Sequence, residues 1–459
     1  MPFLTKAKGI LREYCENTSL VGLGYISNQK IHLTERIFWL ICIIISAGGS
    51  YYLIREYQNA FESEAISLVI EGTGPQDKTQ FPAVAICEDG NVKVQYEKLS
   101  DYIKELGAQY GTTEYSYDVE DFLLRVIFEN MYSFGSLKHY CEPFYDCDDC
   151  VKCPQSGYKK LSELVRQNCS NLIENCSWND KPFNCCDYFL PLQTSVGLCF
   201  VLNSEQTTKR NGPNWLETET GWDVGFGRLQ MEVTHPVQLQ LLNAEDVPSF
   251  FIQDHIYRIM RLQTDQEIQL SVQSTTNDPD VREISPQFRR CRFPDENFKD
   301  SSYKYYSFTT CVSDCLKRLQ NQTCGCISYN YLVKNDDKSP LCDYEGFLCL
   351  DQSDLLRPRP TILQPWRSNG LVCKCLPSCT EHEISVVQAS SRVNHEAKLS
   401  QIRITQTVAT QQYRRQTVRT RLDVVVTIGG ILGLFMGASI LSGIEIFYFF
   451  CVRILSLTN

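Results

Sequence analysis

The chain has 459 residues, of which 43% are hydrophobic and 21% charged, in ordinary globular proportions. Its 44 basic and 54 acidic residues leave a formal charge of −10, which excludes a basic nucleic-acid surface. No HExxH, phosphate loop or G-x-S-x-G occurs, so neither an enzyme nor a cofactor site is expected.

Residues 1–35 have no continuous apolar run at their start. They therefore read as a cytosolic segment and not as a cleavable signal peptide. From Arg36, RIFWLICIIISAGGSYYLI carries 18 uncharged residues with Trp39 near one end and Tyr51 and Tyr52 near the other. This is the pattern of a membrane span with aromatic residues at both interfaces, and it predicts a first span over 36–54.

Residues 55–421 hold twenty cysteines, from Cys87 to Cys379, while Cys15, Cys42 and Cys451 lie elsewhere. So dense and even a set predicts disulfides formed in an oxidising space, with the pairing left open. Arg414, Arg415, Arg419 and Arg421 precede the C-terminal apolar stretch, and charge counting alone would place them in the cytosol. Long loops translocate largely regardless of charge, and the cysteines need oxidation. Both termini are therefore expected in the cytosol, with 55–421 extracellular on a plasma-membrane, multi-pass protein.

Within this region, Phe81-Pro82-Ala83-Val84-Ala85-Ile86-Cys87 reads as a strand after a polar turn. VQYEKLSDYIKEL and DVEDFLLRVIFENMY show helical spacing, and Glu97, Asp101, Glu105, Glu120 and Asp121 are expected on solvated faces. Cys147, Cys150 and Cys153 stand in C-x2-C-x2-C spacing, which would raise a metal site in a reducing cell. In this compartment structural disulfides are the expectation, so no metal is assigned. Sequons occur at Asn168, Asn175 and Asn321. A cysteine occupies the middle of the first two and competes for disulfide formation, which makes Asn321 the best acceptor.

Residues 227–274 alternate apolar and polar in short pieces, an antiparallel sheet pattern. His382 between Glu381 and Glu383 is expected in a solvated polar cluster. Ile402 to Tyr413 alternates again and leads to the last element, 422–452, with residues 453–459 as a short cytosolic tail. LDVVVTIGGILGLFMGASILSGIEIFYFFCV is long enough to cross a bilayer, whose roughly 30 Å core needs about 20 helical residues. Its surplus length must tilt, protrude or break, and Gly429, Gly433 and Gly437 recur at a spacing that lets backbones approach in lipid. On a continuous helix Ala438, Ser442 and Glu445 would share one stripe. A carboxylate in a span faces protein or water, so Glu445 is a functional candidate.

Three groups of residues resemble the degenerin/epithelial sodium channel superfamily. They are Gly437-Ala438-Ser439 within GGILGLFMGASIL, the Phe-Pro-Ala-Val run leading to Cys87, and the cysteine order of the second cluster. That order is Cys311-x3-Cys315, Cys324-Gly325-Cys326, then Cys373-Lys374-Cys375-Leu376-Pro377-Ser378-Cys379. The first cysteine cluster is similar to the insect pickpocket-like branch. The resemblance implies an α+β membrane protein whose two transmembrane helices flank a large disulfide-rich extracellular domain. That domain would contain a finger-like cluster near 92–200, an antiparallel β core near 70–90, 225–290 and 385–420, and a helical thumb near 291–380.

By the same resemblance the chain would be one subunit of a homo- or heterotrimeric, amiloride-sensitive channel in the lipid bilayer. It would pass Na+ through a ring of second spans, with Gly437, Ala438 and Ser439 as selectivity filter and Glu445 supplying negative charge below it. Thr18-Ser19-Leu20-Val21-Gly22-Leu23 keeps the frame of the family's gating segment, with Gly22 retained and Val21 where relatives have histidine. Thr427 stands where many relatives have aspartate, and Val426 is bulky at the usually small degenerin site, which implies resting activity or reliance on a partner subunit for the closed state. Gly430 belongs to the same pore-lining face. In the thumb, Ile384 stands where relatives have an aromatic residue. The alternative is a non-conducting, disulfide-rich surface receptor or auxiliary subunit with the same architecture. An ATP-gated trimer would share two spans but not the Gly-Ala-Ser triplet or CxCLPxC.

Overall fold

The computed structural model describes residues 9, 12–28, 30–63, 65–89, 93–110, 117–128, 137–141, 153–249, 257–260, 263–333, 338–356, 373–395 and 397–452. It divides into two compact units. The larger comprises 70–277 and 290–414, and the smaller comprises 1–69, 278–289 and 415–459.

Eleven strands build the centre of the larger unit. They are β1 (Ala83–Glu88), β2 (Ile173–Trp178), β3 (Lys181–Pro182), β4 (Phe189–Thr194), β5 (Gly197–Leu202), β6 (Gly227–Val233), β7 (Val237–Leu242), β8 (Tyr257–Met260), β9 (Thr264–Gln273), β10 (Glu383–Val393) and β11 (Ser400–Thr407). A five-stranded sheet runs β8-β7-β1-β5-β4 and a six-stranded sheet runs β10-β9-β11-β6-β2-β3. Side chains from both sheets share one core, with Val84, Ile86 and Leu239 from the first and Met231, Leu270 and Ile404 from the second. The other face of β1, through Ala83, Ala85 and Cys87, enters a second core with Leu192, Val201 and Tyr303. All six residues of β1 are buried, which is why its sequence is a nearly continuous apolar run. β11 lies inside its sheet with one face covered, and its burial alternates along all eight residues.

The sheet differs from expectation in two ways. The core is not wholly antiparallel, because β9 pairs with β11 in parallel, Ile268 opposite Ile404. Strands β2, β4 and β5 also come from the stretch read as finger-like, since alternation over 173–202 was masked by its cysteines.

A third core joins helices distant in sequence. α2 (Lys93–Tyr110) supplies Leu99 and Ile103, α3 (Tyr117–Ile127) supplies Phe122 and Leu124, and α5 (Tyr344–Gln352) supplies Phe347 and Leu350. The stretches read as finger-like and thumb thus share this core. Tyr329 reinforces the join by donating its hydroxyl to the Val126 carbonyl at 2.9 Å. Glu120 is buried on α3, against the expectation of a solvated face, and burial followed by neighbouring Asp121 raises its pKa.

α4 (Phe308–Cys324) begins with a capping box between Ser307 and Thr310 and ends at Gly325, φ 69°, the left-handed cap that glycine adopts without strain. Disulfides Cys311–Cys375, Cys315–Cys373, Cys324–Cys349 and Cys326–Cys342 tie α4 and the residues after it to α5 and the 373–375 segment. Cys291–Cys379 closes the base, and Cys87–Cys199 joins β1 to β5. Cys153 pairs with Cys141, whereas Cys147 and Cys150 lie outside the described residues. Ile384 is buried in the shared sheet core.

A polar cluster sits where β7 leads toward α4. Glu245 accepts from the hydroxyls of Ser378 (3.0 Å) and Thr380 (2.6 Å), and Asp246 accepts from Thr309 (2.9 Å). His382 belongs to this cluster and is half-buried rather than fully solvated. Its Nδ1 accepts from the Thr275 N–H at 3.1 Å and its own N–H donates to Asn243 at 2.9 Å. Burial lowers its pKa, opposed by Glu245.

In the smaller unit, α1 (Leu33–Ser63) runs 31 residues and extends past the 36–54 span at both ends, because its polar flanks continue the helix. By length and composition, Leu33–Phe61 is long and apolar enough to cross a membrane. The C-terminal stretch is a bent pair, Leu422–Met436 and Ile440–Val452, meeting at 75°. It is not one continuous helix.

Two predictions follow from the packing. A methyl group on Gly346 would sit 2.6 Å from Cys326 Sγ and 2.9 Å from Cys342 Cβ, so Gly346→Ala should cost about 1–3 kcal/mol. Thermal melting of the purified chain checks it, and an unchanged midpoint would refute the close contact. Burial, then Glu245, raises the Asp246 carboxyl from 3.8 to about 6. Its ionised form therefore weakens the fold above that value, and the penalty fades as pH falls toward the unfolded carboxylate range. Acidification from pH 7.5 to 5 should raise the melting temperature of the wild type relative to Asp246→Asn. Parallel pH profiles would contradict the assignment.

Candidate functional site

The second apolar stretch owes its shape to three caps. Thr420 and Asp423 form a capping box at the start of α6 (Arg421–Met436). At its end Gly437 takes φ 65°, a left-handed conformation costing L-residues roughly 1–2 kcal/mol. The Gly437 N–H donates to Gly433 at 3.0 Å and the Ala438 N–H to Leu432 at 3.2 Å, satisfying carbonyls that the helix end would orphan. Ser439 then caps α7 (Ile440–Phe447) in a reciprocal box with Ser442. The triplet Gly437-Ala438-Ser439 is thus the break itself. Ala438 accordingly does not share a helix face with Ser442 and Glu445.

Part of the N-terminal segment occupies this break. The Val21 N–H donates to the Met436 carbonyl at 3.1 Å. A Cβ built on Gly437 would stand 2.7 Å from Val21 Cγ2, so the valine packs directly on the glycine. The Ser19 hydroxyl lies 2.6 Å from that of buried Ser442. Glu445 accepts from the Ser19 N–H and hydroxyl, both at 3.0 Å, and from the Thr18 hydroxyl at 3.4 Å. Three donors from the same chain receive a carboxylate that would be costly against lipid. Gly22, φ 96°, turns the chain beside α1, where a Cβ would lie 3.0 Å from Ile43 Cδ1. Tyr14 is buried against Phe449 and Phe450, with ring centroids 5.6 and 5.4 Å away.

The structure thus gathers Gly437, Ala438, Ser439 and Glu445 around Ser19 and Val21, with Gly22 next in chain. Val426, Thr427 and Gly430 stand apart on α6, and Val426 is 65% exposed. Sequence reasoning assigned no role to Thr18 or Ser19. Their adjacency to Val21-Gly22 was visible, but the acceptor lies more than four hundred residues away.

The glycines of α6 leave an open face. A Cβ on Gly429 or Gly430 would meet nothing within 4 Å, whereas one on Gly49 of α1 would press to 2.9 Å on Phe435. Two of the arginines before α6 are accounted for locally. Arg414 pairs with Glu71 at 3.3 Å, and the Arg419 guanidinium lies 5.1 Å from the Tyr57 ring centre. Asn168, Asn175 and Asn321 are all exposed. Cys169 and Cys176, central in the first two sequons, are bonded to Cys186 and Cys185, and the Asn175 amide donates to Glu232 at 2.6 Å. Among the described residues, no group of three or more His, Cys, Asp or Glu is placed to hold a metal ion.

A mixed α/β body with many disulfides, a long apolar helix near the N-terminus and a Gly-Ala-Ser break in a second apolar stretch define a class of membrane protein. The sequence profile of the amiloride-sensitive sodium channel family matches residues 14–449, and the chain belongs to that family. Its members are ion channels of the plasma membrane, not enzymes. Pickpocket protein 19 of Drosophila melanogaster is 24% identical over 474 residues, covering 94% of this chain and 88% of the relative. Sodium channel protein Nach of Drosophila ananassae is 21% identical, covering 98% and 88%. A cryo-EM structure of a proton-activated chloride channel overlaps 90% of this chain and 95% of its own at 7% identity, with a TM-score of 0.27 too slight to bear on the fold.

The contact beneath the break is open to direct test. Val21 Cβ stands 3.7 Å from the Cβ position of residue 437, inside the range of disulfide-bonded pairs. A Val21→Cys/Gly437→Cys chain treated with a membrane-permeant oxidant should form that bond, read by mass spectrometry of the linked peptides. Absence of the linked peptide, with each single cysteine still labelled by a maleimide, would rule the contact out.

Proposed function

We propose that the chain is a subunit of a trimeric, sodium-permeable and amiloride-sensitive plasma-membrane channel, with both termini cytosolic. In this reading α1 and the α6–α7 pair are the two spans, and the disulfide-tied α4–α5 region is the thumb. The observation that carries it is the left-handed break at Gly437-Ala438-Ser439, held by Val21 and Ser19 of the same chain. A ring of three such breaks would present backbone carbonyls and Ser439 hydroxyls to a cation shedding water, as carbonyl rings do in other filters. The uncrowded glycine face of α6 supports neighbouring helices. Arg414 and Arg419, engaged by Glu71 and Tyr57, are less able to repel cations at an outer entrance. Glu445, held by Ser19 and Thr18, would couple the N-terminal segment to the lower half of the pore, and Asn321 would carry an N-linked glycan.

Two-electrode voltage clamp tests this, with the chain expressed alone and with related subunits. An inward current that disappears when a large organic cation replaces external Na+, falls with amiloride and changes selectivity in Ser439→Cys is the expected result. Surface-labelled protein without current in every combination would instead favour a non-conducting receptor or auxiliary subunit. Val426→Gly should lower the resting, agonist-free current several-fold, since a small residue there would let the pore close. An unchanged resting current would remove Val426 from gating.

A further inference from the structure

A cleft of about 520 Å³ in the larger unit lies between residues 299–302 and α4. Four cationic side chains line it, Lys299, Lys317, Arg318 and Lys338, against two carboxylates, Asp300 and Asp314. Asp314 is buried and already engaged. It accepts from the Ser301 hydroxyl at 2.5 Å and from the Ser302 N–H at 3.0 Å. Asp300 meets Arg318 only at 3.5 Å, with both side chains more than half exposed, a contact worth little and readily exchanged. The Lys317 ammonium donates to the Ser302 hydroxyl at 2.9 Å, which holds it at the cleft wall. Lys299 and Lys338 are exposed and make no ion pair among the described residues. The described lining is therefore positive on a chain whose formal charge is −10.

The rest of the lining is uncharged and mostly hydrogen-bonding, with Ser339 and Asn321 beside the serines and Ile327 as its one apolar side chain. On the other side of residues 299–302 a second cleft of about 450 Å³ shares Lys299, Ser301 and Ser302 and adds Phe298, which is 40% exposed. Separated cations, hydroxyl partners and an aromatic edge suit sulfate groups spaced along a sugar chain better than one small ion. The flanking disulfides place the site in an oxidising space, where sulfated saccharides occur.

We propose that this pair of clefts binds an extracellular sulfated saccharide through Lys299, Lys317, Arg318 and Lys338. The site is independent of ion conduction, and it neighbours the Asn321 sequon without requiring its glycan.

The test uses the full-length chain purified in detergent and a heparin-derived tetrasaccharide as probe, with binding followed by biolayer interferometry. Saturable binding that weakens as salt rises is expected, with about a tenfold loss in Lys299→Ala/Lys338→Ala. The control Lys181→Ala/Lys209→Ala removes two exposed lysines from elsewhere on the same unit and should bind as wild type. No saturable binding, or equal loss in the control, would overturn the proposal. So would full competition by inorganic sulfate at the same sulfate concentration, which would mark a small-ion site. Binding seen only after Asn321→Gln would also overturn it, because the chain's own glycan would then be the occupant.

Discussion

The positive φ at Gly437 is the constraint on which the smaller unit depends. A helix that continued through this residue would carry Ser439 and Ser442 on without their capping box, and would leave no free Met436 carbonyl for Val21. Because the backbone turns left-handed there, α6 stops, two hydrogen bonds close its end, and α7 starts anew at a serine cap. Glycine alone takes this geometry cheaply, and glycine alone leaves room for Val21 at the same point. Conformational strain and steric access thus select the same residue.

The break also sets the surroundings of Glu445. On α7 its carboxylate reaches Ser19 and Thr18, and the shared donors make the N-terminal segment part of the site. Val21 fits this arrangement by packing, not by titration. The segment is held by backbone and hydroxyl groups, which do not change charge near neutral pH.

In the larger unit, rigidity has two sources. One is a pair of sheets whose central strands are covered, and the other is a set of disulfides that restrict the unfolded chain around α4 and α5. Between them lies the Glu245–Asp246 cluster, whose two carboxylates are met by hydroxyls and an amide and, among the described residues, by no ion pair. The cost of burying the ionised form is why Asp246 titrates high and why acid relieves the penalty.

Much of the plan was legible from the sequence because the signals are local. Apolar runs, alternating strands, cysteine spacing and the Gly-Ala-Ser triplet each report on neighbours within a few residues. They located α1, β1 and β11, and left open whether and where the second apolar stretch breaks. Tertiary structure alone decided what depends on distant partners. It paired β9 with β11 in parallel, drew residues 173–202 into the sheets, buried Glu120, engaged His382 with Thr275 and Asn243, chose the partners of the disulfide-bonded cysteines among the described residues, and brought Ser19 to Glu445. The physical reason is the same in each case. A local pattern specifies which face of an element is apolar and where its backbone must turn, but the energy of a buried carboxylate, a disulfide or a hydroxyl pair is set by whichever group the fold places within about 3 Å of it.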